Sequence, residues 1–389
     1  LTSLKILMRV NAVPAVSEAP ENNNKVRTAM TRFVGRRPAL LGISLALLLS
    51  ACGTIKPTAP LPGKPEAPRE EERAVITPKI QAAAQTLTKM AALQDRLYRV
   101  AAPLLINNAP LCKSHARNLL GFTVKNRYYY PGEYNEAAFL ALGMGDRLQV
   151  TGVLAGSGAA KAGLETGDRL ISAGGKLLPT GASAPKNAAS VLGPLVQRQA
   201  TLPFVIERDE KQRDLSIPVT RACGFGIELG NADNVNSYAD GSRIMITRGM
   251  ITFTDGDEEL AYLLAKGMAH NILGHASSQR NASTIGSIID SLTRVRADTS
   301  VVIGSGGIKP MPQELDGAAD NLAMYLLARA GYRIEGATEF WKRLASTHPA
   351  SVLNGYVANH PATPFRLAVI EKTIADIKAK KSAGKPLVP

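Results

Sequence analysis

The sequence predicts an α+β protein, and three stretches carry that prediction. Residues 77–107 place Ile80, Ala84, Leu87, Met90, Leu97, Ala101 and Leu104 at spacings of three, four or their sum, the period of an amphipathic helix. Residues 149–218 hold short alternating apolar runs separated by glycine-rich and polar turns, the pattern of a β-rich module. Residues 234–275 set an alternating strand ahead of a helix with an apolar stripe. With 389 residues the chain has length for two or three domains.

The N-terminal part reads as an address. "MTRFVGRRPALLGISLALLLSAC" begins at Met30 with Arg32, Arg36 and Arg37, and continues with an apolar run from Ala39 to Leu49. That run has 11 residues. A membrane span needs about 20. Leu49-Ser50-Ala51-Cys52 closes it and resembles the lipobox of bacterial lipoproteins. The resemblance implies a signal peptide over 30–51, acylation of Cys52 and a lipid anchor without a spanning helix. Residues 1–29 precede this start and are expected to be an over-extended N-terminus. Residues 53–75 carry Pro57, Pro60, Pro62, Pro65 and Pro68 and then an acidic run, so 52–75 is expected to be an anchor and an extended tether.

The net charge of the chain is +14. Residues 1–51 hold seven Lys/Arg and two Asp/Glu, which leaves +9 for the rest. No Lys/Arg block with interleaved aromatics occurs, so nucleic acid is not an expected partner. Attraction to an anionic membrane surface is the reading that remains. In an exported chain Cys112 and Cys223 are predicted to form a disulfide, two buried thiols being the alternative.

The elements follow in order. The helix from Thr77 ends at Asn107, Asn108 and Pro110, within an N-terminal helical segment over 76–136. "RLQVTGVLAGSGAAKAGLETGDRLISAGGKLL" reads as a strand at 149–154, a short helix packed through Ala160 and Ala162, and a Gly167-Asp168 turn before the next strand. "LPFVIERDEKQRDLSIPV" reads as a hairpin. Together these resemble the PDZ domain of bacterial envelope proteases and define a PDZ-like module over 137–221. Such a module takes an extended peptide at a sheet edge. Further on, Ile244 and Ile246 alternate in a strand, and Asp255 or Asp257 is placed to cap the following helix. Leu260, Leu263, Leu264, Met268 and Ile272 form its stripe, and Gly274 ends it.

"VNSYADGSRIMIT", "LLAKGMAHNILGH", "QELDGAADNLAMYLLARAGY", "FWKRL" and "NHPATPFRL" occur in that order. They resemble the zinc metallopeptidases of the HtpX and CAAX-prenyl-protease type, peptidase family M forty-eight, in the branch of PDZ-bearing lipoproteins. The resemblance implies a mostly helical zincin-like domain with a small edge sheet over 222–389. It also implies a His-Glu-x-x-His helix, whose two imidazoles share one face and one zinc while the glutamate activates water.

Here Lys266 stands at the first ligand position, Gly267 at the base and His270 at the second ligand. Asp316 stands where the family has a glutamate ligand, and Asp320 where an aspartate orients the first histidine. Catalytic residues are therefore none, and any vestigial metal ligands are His270 and Asp316. Lys266 is expected to replace the metal as local cation and to pair with Asp316 or Asp320; the alternative is a solvated Lys266. His275, five residues after His270, is off the ligand face by helical period. His360 and Arg366 fall in the segment that borders the family's cleft and are placed at its rim.

The expected function is that of a periplasm-facing lipoprotein of the bacterial envelope, at the outer rather than the inner membrane because Gly53 follows Cys52. It is expected to be a catalytically impaired pseudoprotease that binds unfolded or C-terminal segments of envelope proteins through cleft and module. An active zinc metalloendopeptidase in envelope quality control and a structural assembly lipoprotein are the alternatives. No cofactor is expected, or zinc if the domain is active as the resemblance implies.

Overall fold

The computed structural model describes residues 76–304, 308–351 and 355–389. The expected signal peptide, the tether and Cys52 lie outside the described residues. Among the described residues no helix is long and apolar enough to cross a membrane.

Helix α1 (Pro78–Asn107) forms where the spacing predicts it. Thr77 accepts from the Ile80 amide at 3.3 Å, and Pro78 takes the first turn, where a missing N–H leaves no bond unmade. The predicted stripe is buried at Ala84, Leu87, Leu97, Ala101 and Leu104, with Met90 partly buried. Asn108 closes the helix; its amide donates to the Leu104 carbonyl at 3.0 Å and to the Leu326 carbonyl of a later helix at 2.9 Å.

After a 3-10 segment at Ala109–His115, β1 (Ala116–Leu119) leads into a sheet-bearing module. It contains β2 (Phe122–Lys125), α2 (Glu133–Leu142), β3 (Gln149–Val153), α3 (Gly158–Lys161) and β4 (Arg169–Ala173). Then come β5 (Lys176–Leu177), α4 (Ala184–Arg198), β6 (Thr201–Arg208) and β7 (Lys211–Pro218). The sheet order is β2-β3-β4-β6-β7 with β5 beside β4, and every pair is antiparallel. Strand β8 (Thr220–Cys223) returns alongside β1, pairing Leu119 with Thr220 and Ala116 with Cys223. Cys112 is bonded to Cys223 at the base of this two-stranded neck. The module has its own core of Phe122, Val150, Leu170, Leu202, Phe204 and Ile217 among others. Its sheet reaches back to β2, so the boundary expected at residue 137 falls inside α2. That helix packs through Ala137 and Ala138 on Ala83, Ala84 and Leu87 of α1.

Two local features explain the module's shape. A Cβ on Gly158 would lie 1.8 Å from the Pro218 carbonyl oxygen, so the absence of a side chain lets α3 close on β7. The β6–β7 turn places Asp209 and Glu210 at φ 51° and 58°, the left-handed pair that a two-residue hairpin demands.

The second part begins with a three-stranded sheet of β9 (Gly226–Gly230), β10 (Ser237–Ala239) and β11 (Arg243–Thr247). Its order is β10-β11-β9, with β10 antiparallel to β11 at one edge and β9 parallel to it at the other. The helices are α5 (Arg248–Phe253), α6 (Asp257–Leu273), α7 (His275–Ser278), α8 (Ala282–Leu292) and α9 (Ser300–Gly304). They continue with α10 (Gln313–Ala330), α11 (Ala337–Thr347), α12 (Gly355–Asn359) and α13 (Pro364–Ser382). Helix α6 is buried on every side from Leu260 to Ile272, against α10, α1, α11 and the sheet.

The aspartate cap expected for α6 is absent. Gly256 takes the cap position, and the Glu259 carboxylate accepts from the Asp255 amide at 2.8 Å. Asp257 instead binds Arg96 and Arg99 of α1 at 3.0 and 3.1 Å.

Candidate functional site

The packing of α6 on α10 brings together two rows of polar side chains, each one helical turn apart. Lys266 and His270 face inward from α6, and Asp316 and Asp320 from α10. The Lys266 ammonium lies 2.7 Å from Asp316 Oδ1 and 2.6 Å from Asp320 Oδ1. Lys266 is 2 % exposed, so the solvated alternative does not describe it.

A second cation completes the cluster. Thr363 caps α13, accepting from the Arg366 amide at 3.3 Å, and this turn aims the Arg366 side chain inward. Its Nε donates to Asp320 Oδ2 at 2.6 Å and approaches Asp316 Oδ2 at 3.3 Å. Its Nη1 donates to the carbonyls of His360 and Pro361 at 2.9 and 2.8 Å. Arg366 is thus no rim residue: at 1 % exposure it is the largest fully buried side chain among those described. The family pattern placed its segment by position in sequence, whereas two carboxylates and two carbonyls draw its guanidinium inside. Trp341 lies beneath both cations, its ring centroid 5.6 Å from Lys266 Nζ and 5.4 Å from Arg366 Cζ. Tyr356 stacks on the same indole at 5.6 Å.

Three histidines surround this core. His360 Nδ1 is 2.9 Å from Asp316 Oδ1, so its ring turns into the cluster and is only partly exposed. His270 Nε2 stands 3.3 Å from the same oxygen. His270 Nδ1 faces His275 Nδ1 at 2.9 Å. Helical period places His275 off the ligand face, but Gly274 at φ 71° ends the helix before it. Past that left-handed residue the period no longer governs direction. Gly274 itself was the available signal.

The electrostatics follow from burial. Burial alone would raise Asp316, but the adjacent Lys266 ammonium and the facing histidines hold its carboxyl well below the usual carboxylate range. Burial and the Arg366 guanidinium pull the Lys266 ammonium below its ordinary value, and the neighbouring Asp320 and Asp316 oppose that shift. Burial, with His360 and Lys266 nearby, lowers His270 to about 3 against the pull of Asp316, so its imidazole is neutral near neutral pH.

His270, Asp316 and His360 form a group that could hold a metal ion, with one ligand atom each and all within 4.8 Å of one another. Two imidazole nitrogens and a carboxylate oxygen suit zinc, and His270 Nε2 makes no hydrogen bond. The charges do not suit it. Two carboxylates already face one ammonium and one guanidinium, and a buried divalent ion would add two charges without a partner. With Lys266 in place the residues do not fit a resident zinc. Nor does position 267 supply a base: Gly267 has no side chain, and a Cβ there would lie 2.8 Å from Ile244 Cγ2 of β11. A cavity of about 320 Å³, bordered by Leu87, Gln94, Tyr98, Lys125 and Leu229, shares no residue with this cluster.

The geometry is that of a metallopeptidase-like helix pair. The family description that matches is Peptidase family M48, over residues 198–374, a span from the end of α4 into α13 that includes every residue of the cluster. The chain is similar to the mitochondrial metalloendopeptidase OMA1 of Schizosaccharomyces pombe, 21% identical over 150 residues, which are 37% of this chain and 44% of that protein. It is also similar to the mitochondrial metalloendopeptidase OMA1 of Saccharomyces cerevisiae, 19% identical over 141 residues, 34% of this chain and 41% of that protein. The chain thus spans less than half the length of these curated relatives.

Proposed function

We propose that this protein is a metallopeptidase-like pseudoprotease, which holds polypeptide segments without cleaving them. The observation that carries the reading is the Lys266 ammonium, seated at 2.7 and 2.6 Å on the two aspartates of α10 where the family places a zinc ligand. Gly267 beside it offers no group to activate water. The cation that completes the site is covalently part of the chain, and it has no vacant coordination position for a substrate carbonyl.

The further parts of the reading rest on sequence resemblance. The antiparallel sheet of the module, with β2 and β7 at its edges, is taken as a PDZ-like peptide-binding surface, as in the PDZ-bearing lipoprotein branch. The segment ending at Cys52 is taken as a lipoprotein signal. The acyl anchor then holds the protein on the bacterial envelope membrane, facing the periplasm, where unfolded or C-terminal segments of envelope proteins are its partners.

A second reading, an active zinc metalloendopeptidase, is favoured by the activity in the relatives' names and by the metal-capable group of His270, Asp316 and His360. Zinc analysis of the purified protein, with a casein-cleavage assay, separates the two. The pseudoprotease reading expects neither zinc nor cleavage. Stoichiometric zinc together with cleavage that His270→Ala abolishes would overturn it. Peptide pull-down with and without residues 120–219 tests the binding role, and equal retention by both forms would remove the module from it.

A further inference from the structure

We propose that Lys266 blocks a complete three-ligand site for a divalent cation, made of His270, Asp316 and His360, which the fold holds assembled around the ammonium. The proposal rests on the pseudoprotease reading and adds to it a ligand, His360, that the family pattern does not supply.

Both imidazole nitrogens are spaced from the carboxylate oxygen as metal ligands are. His270 Nε2 and His360 Nδ1 lie 3.3 and 2.9 Å from Asp316 Oδ1. Zinc-to-ligand bonds of about 2.0–2.1 Å set neighbouring ligands of a tetrahedron about 3.3 Å apart. Both histidines are supported from behind. His270 Nδ1 faces His275 at 2.9 Å, so once a cation holds Asp316, a proton carried on Nδ1 frees the Nε2 lone pair as a ligand. His360 is fixed through its backbone: its carbonyl accepts from Arg366 at 2.9 Å, its amide donates to the Tyr356 carbonyl at 2.7 Å, and Arg366 is itself anchored on Asp320. None of these bonds involves Lys266.

What Lys266 contributes is occupancy and charge. Its ammonium shares the one carboxylate oxygen, Asp316 Oδ1, on which both imidazoles converge. A metal at that oxygen would stand in contact with a fixed positive charge. Removing the ammonium leaves Asp316 and Asp320 with Arg366 alone, a net negative site open to a cation.

The test is zinc binding by the full chain. Wild type, Lys266→Ala and Lys266→Ala/His360→Ala are dialysed against micromolar zinc, freed of loose metal and measured for zinc per chain and for melting temperature. The expected result is no retained zinc in wild type, one zinc per chain with a raised melting temperature in Lys266→Ala, and affinity at least about tenfold weaker once His360 is also removed. Lys266→Met, which keeps the apolar stem, serves if Lys266→Ala does not fold. A folded Lys266 variant that takes no zinc, beside a zinc-free wild type, overturns the blocking role and leaves the pseudoprotease reading standing. Equal affinity with and without His360 overturns the ligand set. Stoichiometric zinc in wild type overturns this proposal, and zinc with His270-dependent cleavage overturns the pseudoprotease reading as well.

Discussion

Lys266 and Arg366 neutralise Asp316 and Asp320 in a setting where neither sign could be left alone. Removing one member of a buried ion pair commonly costs about 3–5 kcal/mol, because the partner charge stays behind without water. In zinc-free buffer, Lys266→Ala is therefore expected to lower stability by about that amount in urea denaturation. An unchanged midpoint would mean that the pairing contributes nothing. His270 adds a dependence on pH. Its folded value of about 3 lies below the ordinary 6.5, so the unfolded chain binds a proton there that the folded chain refuses. Its stabilising effect is complete above about pH 6.5 and is lost as pH falls toward 3, by up to about 1.4 kcal/mol per unit. The groups facing it are Asp316, Lys266, His360 and His275. Melting temperature is expected to fall from pH 7 to pH 4, and His270→Gln is expected to flatten that slope; a parallel slope in the variant would assign the acid sensitivity elsewhere. Lys266, Asp316 and Asp320 were legible through the family resemblance, whose motif marks their positions, and the helical period then puts each pair on one face. Arg366 and His360 were legible only as a segment, since the direction of a side chain leaving a loop depends on what it meets.

At the scale of elements, α6 is a helix closed onto its sheet. Gly267 sits where β11 passes, and Ile244 occupies the space a side chain would enter. A mid-helix Gly→Ala change alone gains about 1 kcal/mol. Overpacking against a well-filled strand costs about 1–3 kcal/mol. Gly267→Ala is thus expected to be destabilising, and Gly267→Ala/Ile244→Ala to be less destabilised than the sum of its parts. Additive energies in that double-mutant cycle would show that the contact is relieved some other way. For the same reason, installing His at 266 and Glu at 267 requires a smaller residue at 244 as well. Element order was legible where signals are local: the Thr77 cap, the β6–β7 hairpin and the Gly274 stop all fall where residue types place them. The β1–β8 pairing was not legible, because its partners lie about a hundred residues apart and neither strand alternates strongly. The parallel pairing of β9 with β11 left no local trace either.

For the molecule as a whole, the module is an excursion from the helical part, leaving through β1 and returning through β8. It is not a bead on a string, because α2 and α1 share a small core. Its exposed β6–β7 turn is the expected site of limited proteolysis. A cut between Asp209 and Glu210 is expected to leave one band on a non-reducing gel and two after reduction, since Cys112 and Cys223 lie on opposite sides of the cut. Two bands without reductant would show that the bond does not form in the isolated protein.

The same bond has a mechanical meaning. Cys112 and Cys223 are 111 positions apart in the chain, yet their Cα atoms are 5.6 Å apart in space. Tension applied between the helical segments before and after the module passes across the sulfur atoms and bypasses everything between. Stretched to full length, the oxidised chain is therefore shorter than the reduced one by about 400 Å. The sheet stays out of the load path, so its strands remain paired when the rest of the molecule is pulled.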